Sequence, residues 1–149
     1  MLDVIREIFA YDRWAVERSL GTIDPASTPE ALRLLAHILL AERIWLTRLH
    51  GDDSSHIPTF AELSIDECKT IAADIEIGYR KFIEELSEAD LDRRITYKNT
   101  KGVEFTTPIY QILMHVGLHG AYHRGQIAWL VRDGGGTAVS TDFINFTRL

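Results

Sequence analysis

The chain has 149 residues, a single cysteine and a net charge of −6, with 46% apolar and 26% charged residues. That length suits one domain, 1–149, with a sizeable core. The acidic balance speaks against a general nucleic-acid surface, the lone Cys68 rules out an internal disulfide and fits a reducing compartment, and no apolar run is long enough for a bilayer.

The N-terminal stretch "MLDVIREIFAYDRWAVERSL" carries charges throughout, unlike a signal peptide, so a cytoplasmic protein is expected. Apolar residues from Val4 to Ala15 recur at helical period, which predicts a first helix over Leu2 to Leu20. Gly21 and "TIDPASTP" end it. A second helix runs from about Pro29 to Leu49. Two starts are compatible with "STPE": Ser27 with Glu30 as a capping box, or Thr28 as cap with Pro29 at the first helical position. "HGDDSSHIPTF" reads as a polar loop, with His50 and His56 solvated.

A third helix opens at "SIDE", where Ser64 and Glu67 make a capping box, and buries Ile71, Ile75, Tyr79, Phe82, Ile83 and Leu86. The period then changes. Ile95 and Tyr97 alternate, as do Val103 and Phe105, around "NTKG", which predicts a short hairpin. Thr107 and Pro108 start a fourth helix that ends near Asp133 at "GGG". The tail packs back through Phe143, Ile144 and Phe146. The expected fold is all-α, a four-helix bundle with a short β-hairpin between helices three and four.

The fourth helix holds His115, His119 and His123, half of the six histidines, four residues apart. Residues four apart share a helix face. Ile112, Val116, Ile127 and Leu130 flank the stripe, so the imidazoles are expected to point into the core. Imidazoles there need partners, and a metal ion serves several at once. An HxxxH pair can direct two nitrogens to one ion. Spacing alone does not choose between His115/His119 and His119/His123. A third ligand is expected from His37, at the edge of the second helix's apolar stripe. Three imidazoles leave coordination positions open, as a catalytic site requires. Gly120 follows His119 where a metalloprotease HExxH would carry its glutamate, so a peptidase is not expected.

"HVGLHGAYHRGQIAWLVRDGG" resembles the carboxy-terminal motif of the DinB/YfiT-like family, H-x3-H-x3-HRGQ followed by an apolar run and glycine. "YDRWAVERSL", "LAHILLAERIWLTRLHG" and "TDFINF" are similar to that family's first helix, second helix and closing segment. Asp12 stands where the family usually has asparagine, and "GTAVSTDF" lacks the proline often found before the closing aspartate. The resemblance implies an up-down-down-up bundle, often a homodimer, with one divalent ion on His37, His119 and His123. His115 then lies beside the ion without binding it and is the expected proton-transfer residue. Zinc or nickel suits the imidazoles best, with iron and manganese also compatible. Characterised relatives use low-molecular-weight thiols such as bacillithiol or mycothiol, so the resemblance implies thiol transfer or isomerisation on a small electrophilic substrate. A metal-dependent hydrolase is the alternative enzyme. A non-catalytic, stress-associated metal-binding dimer is the alternative outside enzymes.

Around the site, Gln126 is expected to bond a ligand, Arg124 to pair with a carboxylate such as Asp12, and Glu42 to support the site or lie in solvent. Trp14, Trp45 and Trp129 read as core residues, Trp45 also as a pocket wall, and Tyr122 as packed. Cys68 has no positive neighbour to stabilise a thiolate and reads as inert.

Overall fold

The computed structural model describes all residues, 1–149. Four long helices dominate: α1 (Leu2–Leu20), α2 (Pro29–Leu49), α3 (Ile65–Glu84) and α4 (Ile109–Asp133). Between α3 and α4 lie a 3-10 turn (Ala89–Asp92) and two strands, β1 (Arg94–Lys98) and β2 (Glu104–Pro108). A short helix, α5 (Phe143–Phe146), closes the chain. No helix is long and apolar enough to cross a membrane.

Local chemistry explains most boundaries. The Ser64 hydroxyl accepts from the Glu67 amide while the Glu67 carboxylate accepts from the Ser64 amide, so the capping box forms. At α2 the cap position falls to Thr28 with Pro29 following, yet the Thr28 hydroxyl donates to the Asp24 carbonyl instead of capping. The hairpin pairs Tyr97 with Phe105 and Ile95 with Thr107 in antiparallel register. Its turn is closed by the Asn99 carboxamide oxygen, which accepts from the Lys101 and Val103 amides, with Gly102 at φ 77°.

Both α1 and α2 pack against α3 and α4, so α1 and α2 lie across the core from each other. Ile5 and Val16 meet Leu35, Ile38 and Leu39 of α2, Ile75 and Phe82 of α3, and Ile112, Val116 and Ile127 of α4 in one apolar cluster. Each such side chain contributes roughly 1.5–3 kcal/mol on burial. The α1–α4 seam is unusually close. A Cβ on Gly117 would come within 2.5 Å of Ile8 Cγ2, and one on Gly120 within 2.7 Å of Asp12 Oδ1. Gly125, by contrast, faces open space.

Three expectations need correction. Trp129 is 62% exposed and Tyr122 67%, so neither belongs to the core. Ile144 is exposed as well; only Phe143 and Phe146 of the tail pack edge-on against Tyr11. Glu42, read as site support or solvated, is 4% exposed and sits inside the helices. The common cause for the first two is that α4 and the tail carry apolar residues on more than one face, which blurs the periodic signal.

Candidate metal centre

α2 and α4 pack along each other, and their contact brings distant histidines together. His37 projects from the middle of α2, His119 and His123 from successive turns of α4. One ligand atom from each ring lies within 4.8 Å of the other two. Ring centroids stand 5.1 Å apart for His37 and His119, 4.9 Å for His37 and His123, and 4.5 Å for His119 and His123. All three rings are half-buried. Ile112, Val116 and Ile127 take the core-facing side of α4, which turns the histidines to its margin instead of into the core. The margin keeps one side of the triad accessible from outside.

Two rings are oriented by hydrogen bonds. His37 Nδ1 donates to the Thr59 carbonyl at 2.7 Å, and His123 Nδ1 to the Gln126 carboxamide oxygen at 2.6 Å. Each bond fixes the tautomer that leaves the Nε2 lone pair free for an ion, the usual support of a metal-bound histidine. Phe60 stacks on His37 with centroids 4.2 Å apart, and the Arg33 guanidinium covers the Phe60 ring. Both Thr59 and Phe60 come from the loop between α2 and α3. An aromatic residue in that otherwise polar stretch was the one signal of this role.

Electrostatics favours neutral rings. Burial lowers the pKa of His119 to about 4, reinforced by His123, His37 and His115. Burial also lowers His37, against the Thr59 hydrogen bond, with His123 adding to the effect. Neutral imidazoles are the form that binds a cation. The donor set thus fits a divalent ion, with three nitrogens from two helices and room on the outer side.

A pH effect follows for the metal-free protein. The unfolded chain takes up a proton at His119 below its ordinary 6.5, and the folded chain resists it until about 4. Stability from this residue is intact above 6.5 and is lost as pH falls to 4. His119→Gln is expected to flatten the acid limb of a melting-temperature profile taken with a chelator. An unchanged limb would contradict the buried, neutral ring.

His115 is exposed and lies beside the triad, its ring 5.6 Å from His119 and edge-on to Trp45 at 5.2 Å. Partial burial lowers its pKa. Trp45 in turn packs on Tyr97 of the hairpin, with Arg48 lying over both rings. His50 and His56 are exposed elsewhere, and the Cys68 thiol is buried and pushed up to about 11 by desolvation.

Arg124 and Glu42 make no hydrogen bond to the triad. Arg124 turns toward α1, where its Nη1 donates to Asp12 Oδ1. Its guanidinium lies over the Tyr11 ring, fully out of solvent. Glu42 reaches the same buried cluster from α2. Burial and the neighbouring Asp12 charge hold its carboxyl well above the usual range, outweighing Arg124. The Arg124–Asp12 pair is the one expected from the sequence; the place of Glu42 beside it was not, because the three residues come from three helices.

The DinB family model matches residues 18–149. Protein DinB of Bacillus subtilis (strain 168) is 22% identical, with 96% of this chain and 93% of that protein covered. The crystal structure of a DinB-like protein from Bacillus cereus ATCC 10987 is similar in fold. Its TM-score is 0.63 at 22% identity, over 91% of this chain and 94% of that one. With a family match over most of its length, and a fold and histidine triad to accompany it, the chain belongs to the DinB family.

Proposed function

We propose that the chain is a metal-dependent enzyme acting on a small electrophilic molecule, with one divalent ion on His37, His119 and His123. The observation that carries this reading is three imidazole nitrogens within 4.8 Å on an accessible margin, two of them oriented through Nδ1. Three ligands leave room for an exogenous one. Zinc or nickel suits the donor set. A bound divalent ion supplies Lewis acidity, which makes a coordinated thiol or water nucleophilic at neutral pH.

The chain's own groups supply the rest. His115 is neutral at pH 7, because partial burial lowers its pKa, and takes the proton released by the thiol or water. Trp45 and Phe60 form apolar walls on either side of the rings. The low-molecular-weight thiol is the preferred nucleophile, in keeping with the family resemblance of the HRGQ segment. The four long helices are read as an up-down-down-up bundle. Leu118, Tyr122 and Trp129 leave an apolar stripe on α4 that a second copy covers, giving a cytoplasmic homodimer. Light scattering on Trp129→Glu tests that point, since a monomeric wild type would contradict it.

The functional test pairs metal-loaded protein with a thiol panel and an alkylating electrophile. Turnover that needs both metal and thiol is the expected result. His115→Gln should keep the ion and lower kcat by about 100-fold or more. Turnover without thiol would instead identify a hydrolase, and bound metal with no turnover would leave a non-catalytic metal protein.

A further inference from the structure

On another side of the molecule, a cavity of about 600 Å³ opens between α1 and α3. None of the three triad histidines lines it. Its size is that of a small-molecule site. The walls are apolar, formed by Phe9, Val16, Leu39, Ile75 and Ile83. Of the five acids in its lining two are buried, Asp12 and Glu42, and so is the Tyr79 phenol.

The charges around it are unevenly satisfied. Every cation that lines the cavity already has a carboxylate: Arg6 has Asp3, Arg13 has Glu17 and Glu76, Lys69 has Asp66, and Arg80 has Glu76. Asp12 has Arg124. Glu42 has no ion-pair partner; its carboxyl lies within hydrogen-bond reach of Asp12, while its Oε1 is buried without a hydrogen bond. Two carboxyls repel an anion, and no free cation is available to receive one. A largely apolar chamber with a buried acidic pair and one carboxyl oxygen that no donor reaches matches a ligand with a hydrocarbon body and a single ammonium head.

We propose that the α1–α3 cavity binds a small apolar amine, its ammonium group on Glu42 and its hydrocarbon body against Phe9, Leu39 and Ile75. Glu42 is faced by Asp12 from α1, Arg124 from α4 and Tyr79 from α3. The Tyr79 hydroxyl donates to the Glu42 backbone carbonyl at 2.8 Å and not to its carboxyl, so Glu42 Oε1 stays without a donor. Burial, with the Asp12 charge beside it, pushes the Glu42 carboxyl toward its protonated form while the cavity holds no cation. An entering ammonium makes the carboxylate the favoured form, so the Glu42 proton leaves to solvent and the buried charge stays balanced.

Titration calorimetry with octylamine, octanol and octanoate, below micellar concentrations, tests this. Octylamine should bind the wild type at one molecule per chain and release a proton, read from two buffers of different ionisation enthalpy. Glu42→Gln should weaken octylamine by about tenfold or more and abolish the proton release. Ala73→Phe, which fills the cavity from an exposed lining position, should weaken it without touching Glu42. His119→Gln should leave octylamine affinity unchanged, which separates this site from the triad. No octylamine binding to folded wild type at millimolar concentration would overturn the proposal. So would octanoate or octanol binding as tightly as octylamine, or equal octylamine affinity in Glu42→Gln.

Discussion

Arg124→Met is expected to lower stability by about 3–5 kcal/mol, because it leaves Asp12 charged and buried without its cation. For a domain of this size that is a melting temperature lower by about 10 °C. The guanidinium has no solvent-exposed surface and Asp12 very little, so neither water nor salt can replace the lost partner. The pair also sits in the close α1–α4 seam, with Gly120 leaving the space the two side chains occupy. Asp12→Leu with Arg124→Met together should recover most of the loss, since an apolar pair of similar volume carries no desolvation cost. Denaturant unfolding of the two single variants and the double variant measures the coupling. A loss under about 1 kcal/mol for Arg124→Met would show that the pair is not the seam of α1 and α4.

The second large effect concerns the triad. Zinc or nickel at about 100 times its dissociation constant should stabilise the folded chain by about 2.7 kcal/mol through mass action. His119→Ala is expected to abolish that metal-dependent rise in melting temperature, because His37 and His123 alone span two helices without the nitrogen between them. His50→Ala, at an exposed site away from the triad, should keep it. Thermal melts across a metal titration give both outcomes. An undiminished rise in His119→Ala would place any bound ion elsewhere.

Much of this architecture was legible in local chemistry. Ser64 and Glu67 announced the start of α3, the Asn99–Gly102 turn announced the hairpin, and the glycine run after Asp133 announced the end of α4. These signals act within a few residues, so no tertiary knowledge was needed. His37 could be named because it stood at the edge of a clear apolar stripe on α2.

What escaped depended on contacts between elements. The face of α4 was ambiguous because Leu118, Tyr122 and Trp129 are as apolar as Ile112, Val116 and Ile127, yet only the second set is buried. The histidines lie between the two sets. Their spacing therefore predicted one shared face but misjudged its depth, and left the choice of pair to the family resemblance. The tertiary fold brings His37 up to His119 and His123 and leaves His115 outside. Thr59 and Phe60 were hidden in a loop whose path no periodic pattern reveals. Glu42 reads as an ordinary helix residue until Asp12 and Arg124, far away in the chain, are seen to meet it.

The most direct test of the metal centre is elemental analysis of wild type and His37→Ala after loading with zinc or nickel and dialysis. One ion per wild-type chain, absent from a folded His37→Ala, is the expected result. A folded wild type that holds neither metal would contradict the account, and the triad would then be a cluster of neutral imidazoles hydrogen-bonded to Thr59 and Gln126.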